Sequence, residues 1–328
     1  MVVLEVAAEA APFVLIAVAL GLDPFLACLA LAMAPFFGWT SFLEPATATA
    51  LLNPLVIGST LFLYLLEVVA ERTQPSFILW QVLQLVVRPL AAGLLASLML
   101  GSVGTRRVLL ILGFVSVAVI FHLLKVGATA MGWWVEPRPR QWLLSLVEDA
   151  LVLVLVALAH NLAGPVAAVG PLVLLMLVIG GIPLLRAARF AFYLAWSRTW
   201  GSLRPFEWQP AEDLPAGAAI QLNDVPGSQH RSIRATRAAA LRVAGPFRFG
   251  WLAVGPTVPA WLGGTGRPFM VAPDAVRAII PSGLYTRVFV ERSDGRSAIL
   301  VLPKAGPSAG TVAVELDAKA TLTEPEPW

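Results

Sequence analysis

Residues 107–163 read RVLLILGFVSVAVIFHLLKVGATAMGWWVEPRPRQWLLSLVEDALVLVLVALAHNLA. Two apolar runs, 107–132 and 141–163, flank a joint that holds Trp133, Trp134, Pro137 and Pro139 with Arg138 and Arg140. Each run is as long as the roughly 20 residues a helix needs to cross the hydrocarbon core of a bilayer. A membrane hairpin is therefore the expected structure, with prolines and arginines at its turn. The runs are not purely apolar, because His122, Lys125, Glu148, Asp149 and His160 lie inside them.

Reading outward gives four more candidate spans, at 12–37, 54–71, 77–100 and 165–186. Turn chemistry separates the runs: Glu44-Pro45, Asn53-Pro54, Gln74-Pro75, Gly101 to Gly104 and Gly164-Pro165. Asp23-Pro24 interrupts the first run, and Pro171, Gly180-Gly181 and Pro183 weaken the last. The expected architecture is a membrane all-α bundle of about six helices over 1–190. A juxtamembrane linker (191–210), a mostly β soluble domain (211–320) and a tail (321–328) follow. The first ten residues carry Glu5 and Glu9 but no basic residue, so the first run is expected to be retained rather than cleaved as a signal peptide.

Bulk composition agrees. Of 328 residues 58% are hydrophobic and 13% charged, and mean hydropathy is +0.79. Soluble domains carry about 25% charged residues, and disorder needs low hydrophobicity with high charge. Residues 1–200 hold 19 of the 43 charged side chains, so the last 128 residues hold 24 and form the soluble part. A net charge of +3 argues against a nucleic-acid partner. The single cysteine, Cys28, excludes an internal disulfide and a cysteine-lined zinc site. No cofactor is expected.

Orientation follows the Lys/Arg bias of short loops. Six spans put both termini on one side, with Arg72, Arg138, Arg140, Arg186, Arg189, Arg198 and Arg204; the other side receives Arg106 and Arg107. The expectation is a multi-pass bacterial inner-membrane protein with both termini cytoplasmic. Arg186, Arg189 and Arg198 are expected at lipid headgroups, beside an aromatic belt of Trp133, Trp134, Phe190, Tyr193, Trp196 and Trp200. A run of Arg231, Arg234, Arg237 and Arg242, if helical, would present one basic face to anionic lipid.

In the last 128 residues, short strands are expected at Phe247–Val254, Pro268–Val271, Val276–Ile280 and Leu284–Glu291. Ser293-Asp294-Gly295-Arg296 reads as a hairpin turn into Ala298–Leu302, and Val312–Leu316 as a last strand. Gly263-Gly264-Thr265-Gly266 reads as a hairpin loop, because a phosphate loop would need a following Lys-Ser/Thr and a helix start.

Ionisable residues inside a span are costly unless they face a bundle interior, water or a partner. Lys125 lies 12 residues before the centre of the 133–140 joint and Glu148 lies 11 after it. At about 1.5 Å per residue both sit at nearly equal depth and can pair across the hairpin. In the preceding hairpin Glu67 and Arg88 are placed alike, with Arg88 deeper and able to reach back. Gln81, Gln84 and Arg88 form one stripe, and His122 is one turn from Lys125. A short echo relates Leu65-Leu66-Glu67-Val68 to Leu123-Leu124-Lys125-Val126, with the order of charges reversed. These residues, with Asp149, form the expected cluster: Glu67, Arg88, His122, Lys125, Glu148 and Asp149. A metal at His122, Glu148 and Asp149 is disfavoured by the nearby lysine. Asp23-Pro24 is expected to break the first helix, with Asp23 as its cap or with freed carbonyls facing an ion. His160 reads as an interfacial histidine.

These motifs resemble the bacterial membrane family catalogued as domain of unknown function 4126. The resemblance rests on Gly21-Leu22-Asp23-Pro24, Glu67…Glu71-Arg72…Pro75, Arg88-Pro89 with Gly93, His122…Lys125, and Glu148-Asp149. It covers about residues 10–190 and implies a multi-span inner-membrane protein. Asp23 stands where the family pattern has Asn, and Glu71 where it has Asp.

The functional expectation is a non-enzymatic protein that moves a small ion or an anionic amphipathic substrate, with Arg88 and Lys125 holding an anion. The alternative is a membrane anchor or assembly subunit whose β domain binds a protein partner.

Overall fold

The computed structural model describes residues 2–38, 45–71, 74–99, 104–135, 141–161, 181–197, 208–225, 233–241, 248–255, 259–263, 268–281, 285–316 and 321–322. The chain divides into two compact units: Met1–Trp133 with Pro137–Leu185, and Arg186–Trp328 with Trp134–Glu136.

The first unit is helical. It contains α1 (Val2–Leu22), α2 (Pro24–Met33), α3 (Pro45–Leu51), α4 (Pro54–Ala70), α5 (Gln74–Met99), α6 (Gly104–Val135), α7 (Gln141–Asn161) and the start of α8 (181–197). Two of these helices are long and apolar enough to cross a membrane, over Leu79–Met99 and Val108–Met131. The run at 12–37 is not one helix: α1 stops at Leu22, α2 restarts at Pro24, and a 3-10 turn at Ala34–Phe37 ends on Gly38 at φ 74°. Most of the 165–186 run lies outside the described residues.

The helices face the wrong way for water. On α5, Leu79, Leu83, Val86, Leu90 and Leu94 are exposed, while Gln81, Gln84, Arg88 and Ala92 are buried. Both sets follow helical spacing, so one face is apolar and outward and the other polar and inward. A helix on a soluble core shows the reverse. Inside, Ile16, Leu20, Leu31, Leu95, Phe114, Val152 and Val156 pack from α1, α2, α5, α6 and α7 into one core.

Small residues set the closest approaches. A Cβ on Gly127 of α6 would lie 1.9 Å from the Leu184 carbonyl oxygen of α8. Two backbones in contact leave no side chain to move aside. Gly127→Val is expected to separate α6 from α8 and to cost at least the roughly 1–3 kcal/mol typical of overpacking. A large drop in the thermal midpoint of the detergent-solubilised protein would report it; an unchanged midpoint would contradict this packing.

The second unit is a β-barrel. Its strands are β1 (Gln209–Pro210), β2 (Arg234–Leu241), β3 (Arg248–Val254), β4 (Ala260–Gly263), β5 (Phe269–Pro281), β6 (Tyr285–Arg292), β7 (Ser297–Pro303) and β8 (Thr321–Leu322). β2 to β7 run as an antiparallel meander, and Ala239–Leu241 of β2 pair with Ile299–Val301 of β7 to close it. β1 adds to β2, and β8 joins β5 in parallel.

Alternation along the strands fills two cores. Ala238, Ala240, Leu252, Val254, Trp261, Val288, Leu300 and Leu302 meet Val312, Ala313 and Leu316, which belong to α10 (Ala309–Glu315) and its cap. On the opposite faces Ala235, Ala253, Ala260 and Leu262 pack under Leu214, Ala218 and Leu222, of which the last two lie on α9 (Ala216–Asn223). Trp261 is fully buried, and its ring lies against the Gly250 and Gly263 positions, where a Cβ would collide with it.

Several sequence expectations are corrected here. Val312–Leu316 belongs to helix α10 and its cap, started by Ser308, whose hydroxyl accepts from the Thr311 amide at 3.1 Å. Pro268–Val271 and Val276–Ile280 are one bent strand, β5, whose register shifts between Val271 and Ala278. Arg234 and Arg237 lie on β2, not on a helix, so a spacing of three puts them on opposite faces. Arg234 pairs with Glu315 at 2.6 Å, and the Arg237 guanidinium stands over the Tyr193 and Trp251 rings at 5.6 and 5.2 Å. Arg231 and Arg242 lie outside the described residues. The turn at Asp294-Gly295 joins β6 to β7 with Gly295 at φ 78°, as its sequence requires. Gly263 ends β4, which pairs antiparallel with β5, so a hairpin connects them.

Candidate functional site

The site begins at a break in the first helix. Pro24 has no amide hydrogen and cannot continue the ladder of α1. In an unbroken helix the Gly21 and Leu22 carbonyls would accept from the Phe25 and Leu26 amides. Those two amides donate instead to Asp23 Oδ1, at 2.9 and 2.8 Å. Asp23 is thus the cap of α2, as its sequence suggested. The two freed carbonyls do not face an ion. The Arg88 guanidinium of α5 donates from Nη1 to Gly21 O and to Leu22 O, the latter at 2.6 Å. One carboxylate and one guanidinium therefore take the place of two of the hydrogen bonds that the break removes.

Arg88 is fully buried and extends the network. Its Nη2 donates to Glu67 Oε1 of α4 at 3.0 Å. The same oxygen accepts from Lys125 Nζ of α6 at 3.2 Å. Lys125 also pairs with Glu71 Oε1 at 2.9 Å and with Glu148 Oε1 of α7 at 2.6 Å. Gln81 Nε2 donates to Glu71 Oε1 at 3.2 Å. Three helices, α4, α6 and α7, thus meet at one lysine, and α5 joins them through Arg88 and Gln81. The two pairs expected within the hairpins, Glu67 with Arg88 and Lys125 with Glu148, are both present. What the spacing could not give is the link between hairpins, Lys125 to Glu67 and Glu71.

The network has a closed and an open side. The side chain of Glu67 is 2% exposed and that of Arg88 0%, whereas Glu71 is 18% and Glu148 16% exposed. Among the described residues two cations stand against three carboxylates, which leaves a formal charge of −1 when all are ionised. Unused polar atoms remain on the buried side: Glu67 Oε2, Gln81 Oε1, Arg88 Nε and both amide atoms of Gln84 make no hydrogen bond among the described residues. A buried polar group without a partner costs on the order of 1–3 kcal/mol, so this much unused capacity is uncommon in a purely structural interior.

Not every expected residue joins the network. His122 is buried beside the Gln81 main chain and bonds to none of the charged groups. Asp149 accepts from the Tyr64 hydroxyl at 2.8 Å, a separate tie between α7 and α4. His160 is half-buried near the end of α7. Glu71, at the end of α4, also belongs to the network. Its spacing of four from Glu67 was the signal, since both lie on one helix face. Among the described residues no group of histidine, cysteine and carboxylate side chains is arranged to hold a metal.

On α8, Arg186, Arg189 and Trp196 are exposed. Phe190 is buried and stacks on Tyr193 at 6.0 Å, so it does not contribute to an outward belt. Arg198 and Trp200 lie outside the described residues, and nothing is described of the Trp133 and Trp134 side chains.

The family model described as "Domain of unknown function (DUF4126)" matches residues 11–183, more than half of the chain and all of the charged network. No curated protein and no solved structure matches the chain.

Proposed function

We propose that this chain, which belongs to the domain of unknown function 4126 family, is a multi-span membrane protein that moves a small ion through its charged network. Six spans, an inner-membrane location and cytoplasmic termini are part of the proposal. The inverted faces of α5 and the two span-length helices support the membrane setting, and the arginine bias of the joints supports the orientation.

One observation carries the transport reading. A lysine held by three carboxylates in a low-dielectric interior leaves an unbalanced charge beside polar atoms with unused capacity. An anionic substrate is the weaker form of the proposal, because both cations are already committed, Arg88 to two carbonyls and Glu67, and Lys125 to three carboxylates.

The anchor reading draws on a different observation, a barrel with its own closed core. The experiment is flux in vesicles of phosphatidylethanolamine and phosphatidylglycerol loaded with dyes for H⁺, Na⁺ or Cl⁻. The wild type is expected to move one of these ions under an imposed potential. Glu148→Gln should fall to the protein-free background while still inserting, and Glu212→Gln on the barrel should leave flux unchanged. If no ion moves, or if Glu148→Gln matches the wild type, the transport reading fails. Co-purification of a stoichiometric partner that needs the barrel would then favour the anchor.

A further inference from the structure

We propose that the species taken up by this network is a proton, held between Glu71 and Glu148 around Lys125, on the open side. The inference rests on the small-ion reading above and narrows it.

The two sides of the network do different work. Glu67 and Arg88 are sealed and tied to the helix break, since Arg88 bridges Glu67 to Gly21 O and Leu22 O. Releasing either would release the break. Glu71 and Glu148 are the partly open members, and each contacts the same Lys125 Nζ. Exchange is therefore assigned to them.

Charge selects a cation, and geometry selects the proton. The network lacks one positive charge. A metal cation would need several oxygens at short range with no ammonium among them, whereas Lys125 Nζ occupies the centre. A proton needs one oxygen and no new coordination shell. It adds to a carboxylate oxygen of Glu71 or Glu148 and leaves by the same bond, and Lys125 keeps the remaining carboxylates.

Gln81 supplies a second, independent sign. This side chain is 1% exposed, its Nε2 donates to Glu71, and its Oε1 has no partner. An amide presents a donor on one edge and an acceptor on the other. With Glu71 ionised the nitrogen donates to it; with Glu71 protonated a flipped amide accepts from it. Gln81 can thus satisfy both protonation states of its neighbour.

The charged and titratable groups around the pair come from every packed element: Asp23 at the α1–α2 break, Tyr64, Glu67 and Glu71 on α4, Arg88 on α5, His122 and Lys125 on α6, and Glu148 and Asp149 on α7. The test must separate these carboxyls.

The measurement is an infrared difference spectrum of the full chain in phosphatidylethanolamine–phosphatidylglycerol vesicles, on acidification from about pH 8 to about pH 5. The wild type is expected to gain a carboxylic-acid C=O band. Glu71→Gln and Glu148→Gln should each diminish it, and the double variant should diminish it further, to the level set by the remaining carboxyls. Asp149→Asn should retain it. Glutamine has the shape and neutrality of a protonated glutamate, so these variants are expected to fold. An undiminished band in both single variants overturns the proposal, and so does a band that Na⁺ but not K⁺ suppresses. Absence of flux with the band intact would sink transport and spare the proton site; Na⁺ or Cl⁻ flux without the band would do the reverse.

Discussion

Lys125→Met is expected to destabilise the helical unit by about 3–5 kcal/mol, the range for removing one partner of a buried ion pair. Lys125 is the sole contact joining Glu148 to the other charges described, and it also meets Glu67 and Glu71. Without it Glu67 keeps Arg88 and Glu71 keeps Gln81. Glu148 keeps no cation, and the carboxylates repel one another where the dielectric is low. Adding Glu148→Gln to Lys125→Met should recover a large part of the loss, because it removes the stranded charge. Thermal unfolding of the solubilised protein, run as a double-mutant cycle, gives the coupling. A single variant within about 0.5 kcal/mol of the wild type, or a double variant no better than Lys125→Met, would show that the lysine does not hold the helices together.

The second large effect is at Arg88. Arg88→Leu leaves the Gly21 and Leu22 carbonyls without donors and Glu67 with only Lys125. Each orphaned carbonyl costs about 1–3 kcal/mol, so the variant is expected to lose most of its folded yield. Arg88→Lys should recover only part, because three acceptors are met from two nitrogens of a rigid fork. The other half of the same device is Asp23. Asp23→Asn should be tolerated, since an amide oxygen caps α2 as well as a carboxylate does, whereas Asp23→Ala frees two amides. Yields of monodisperse protein for the four variants decide this. Equal damage from Asp23→Asn and Asp23→Ala would mean that the charge of Asp23, and not its capping, is what the break needs.

The barrel unit was less legible than the helical unit. β2 reads RATRAAAL, and alanine carries little strand preference. It is a strand because β3 and β7 pair with both of its edges, and its alanines are small because two cores meet at that wall. Val312–Leu316 shows the opposite error. Its β-branched residues suggested a strand, but Ser308 caps a helix there, and the barrel interior takes Val312, Ala313 and Leu316 from one helical face.

The sequence by itself determined the apolar helical character of the first part, the helix break at Asp23-Pro24, and two ion pairs. Each follows from local quantities: run length, a missing amide hydrogen, and equal distances from a turn. Only the tertiary structure decided that the two pairs are one network and that Arg88 faces backbone carbonyls. It also decided that Glu71 belongs to the network while His122 and Asp149 stand outside it. Spacing along a helix fixes depth and face, but not which faces of four helices meet. That is set by packing, by close approaches such as Gly127 against Leu184, and by the cost of leaving buried charges and carbonyls without partners.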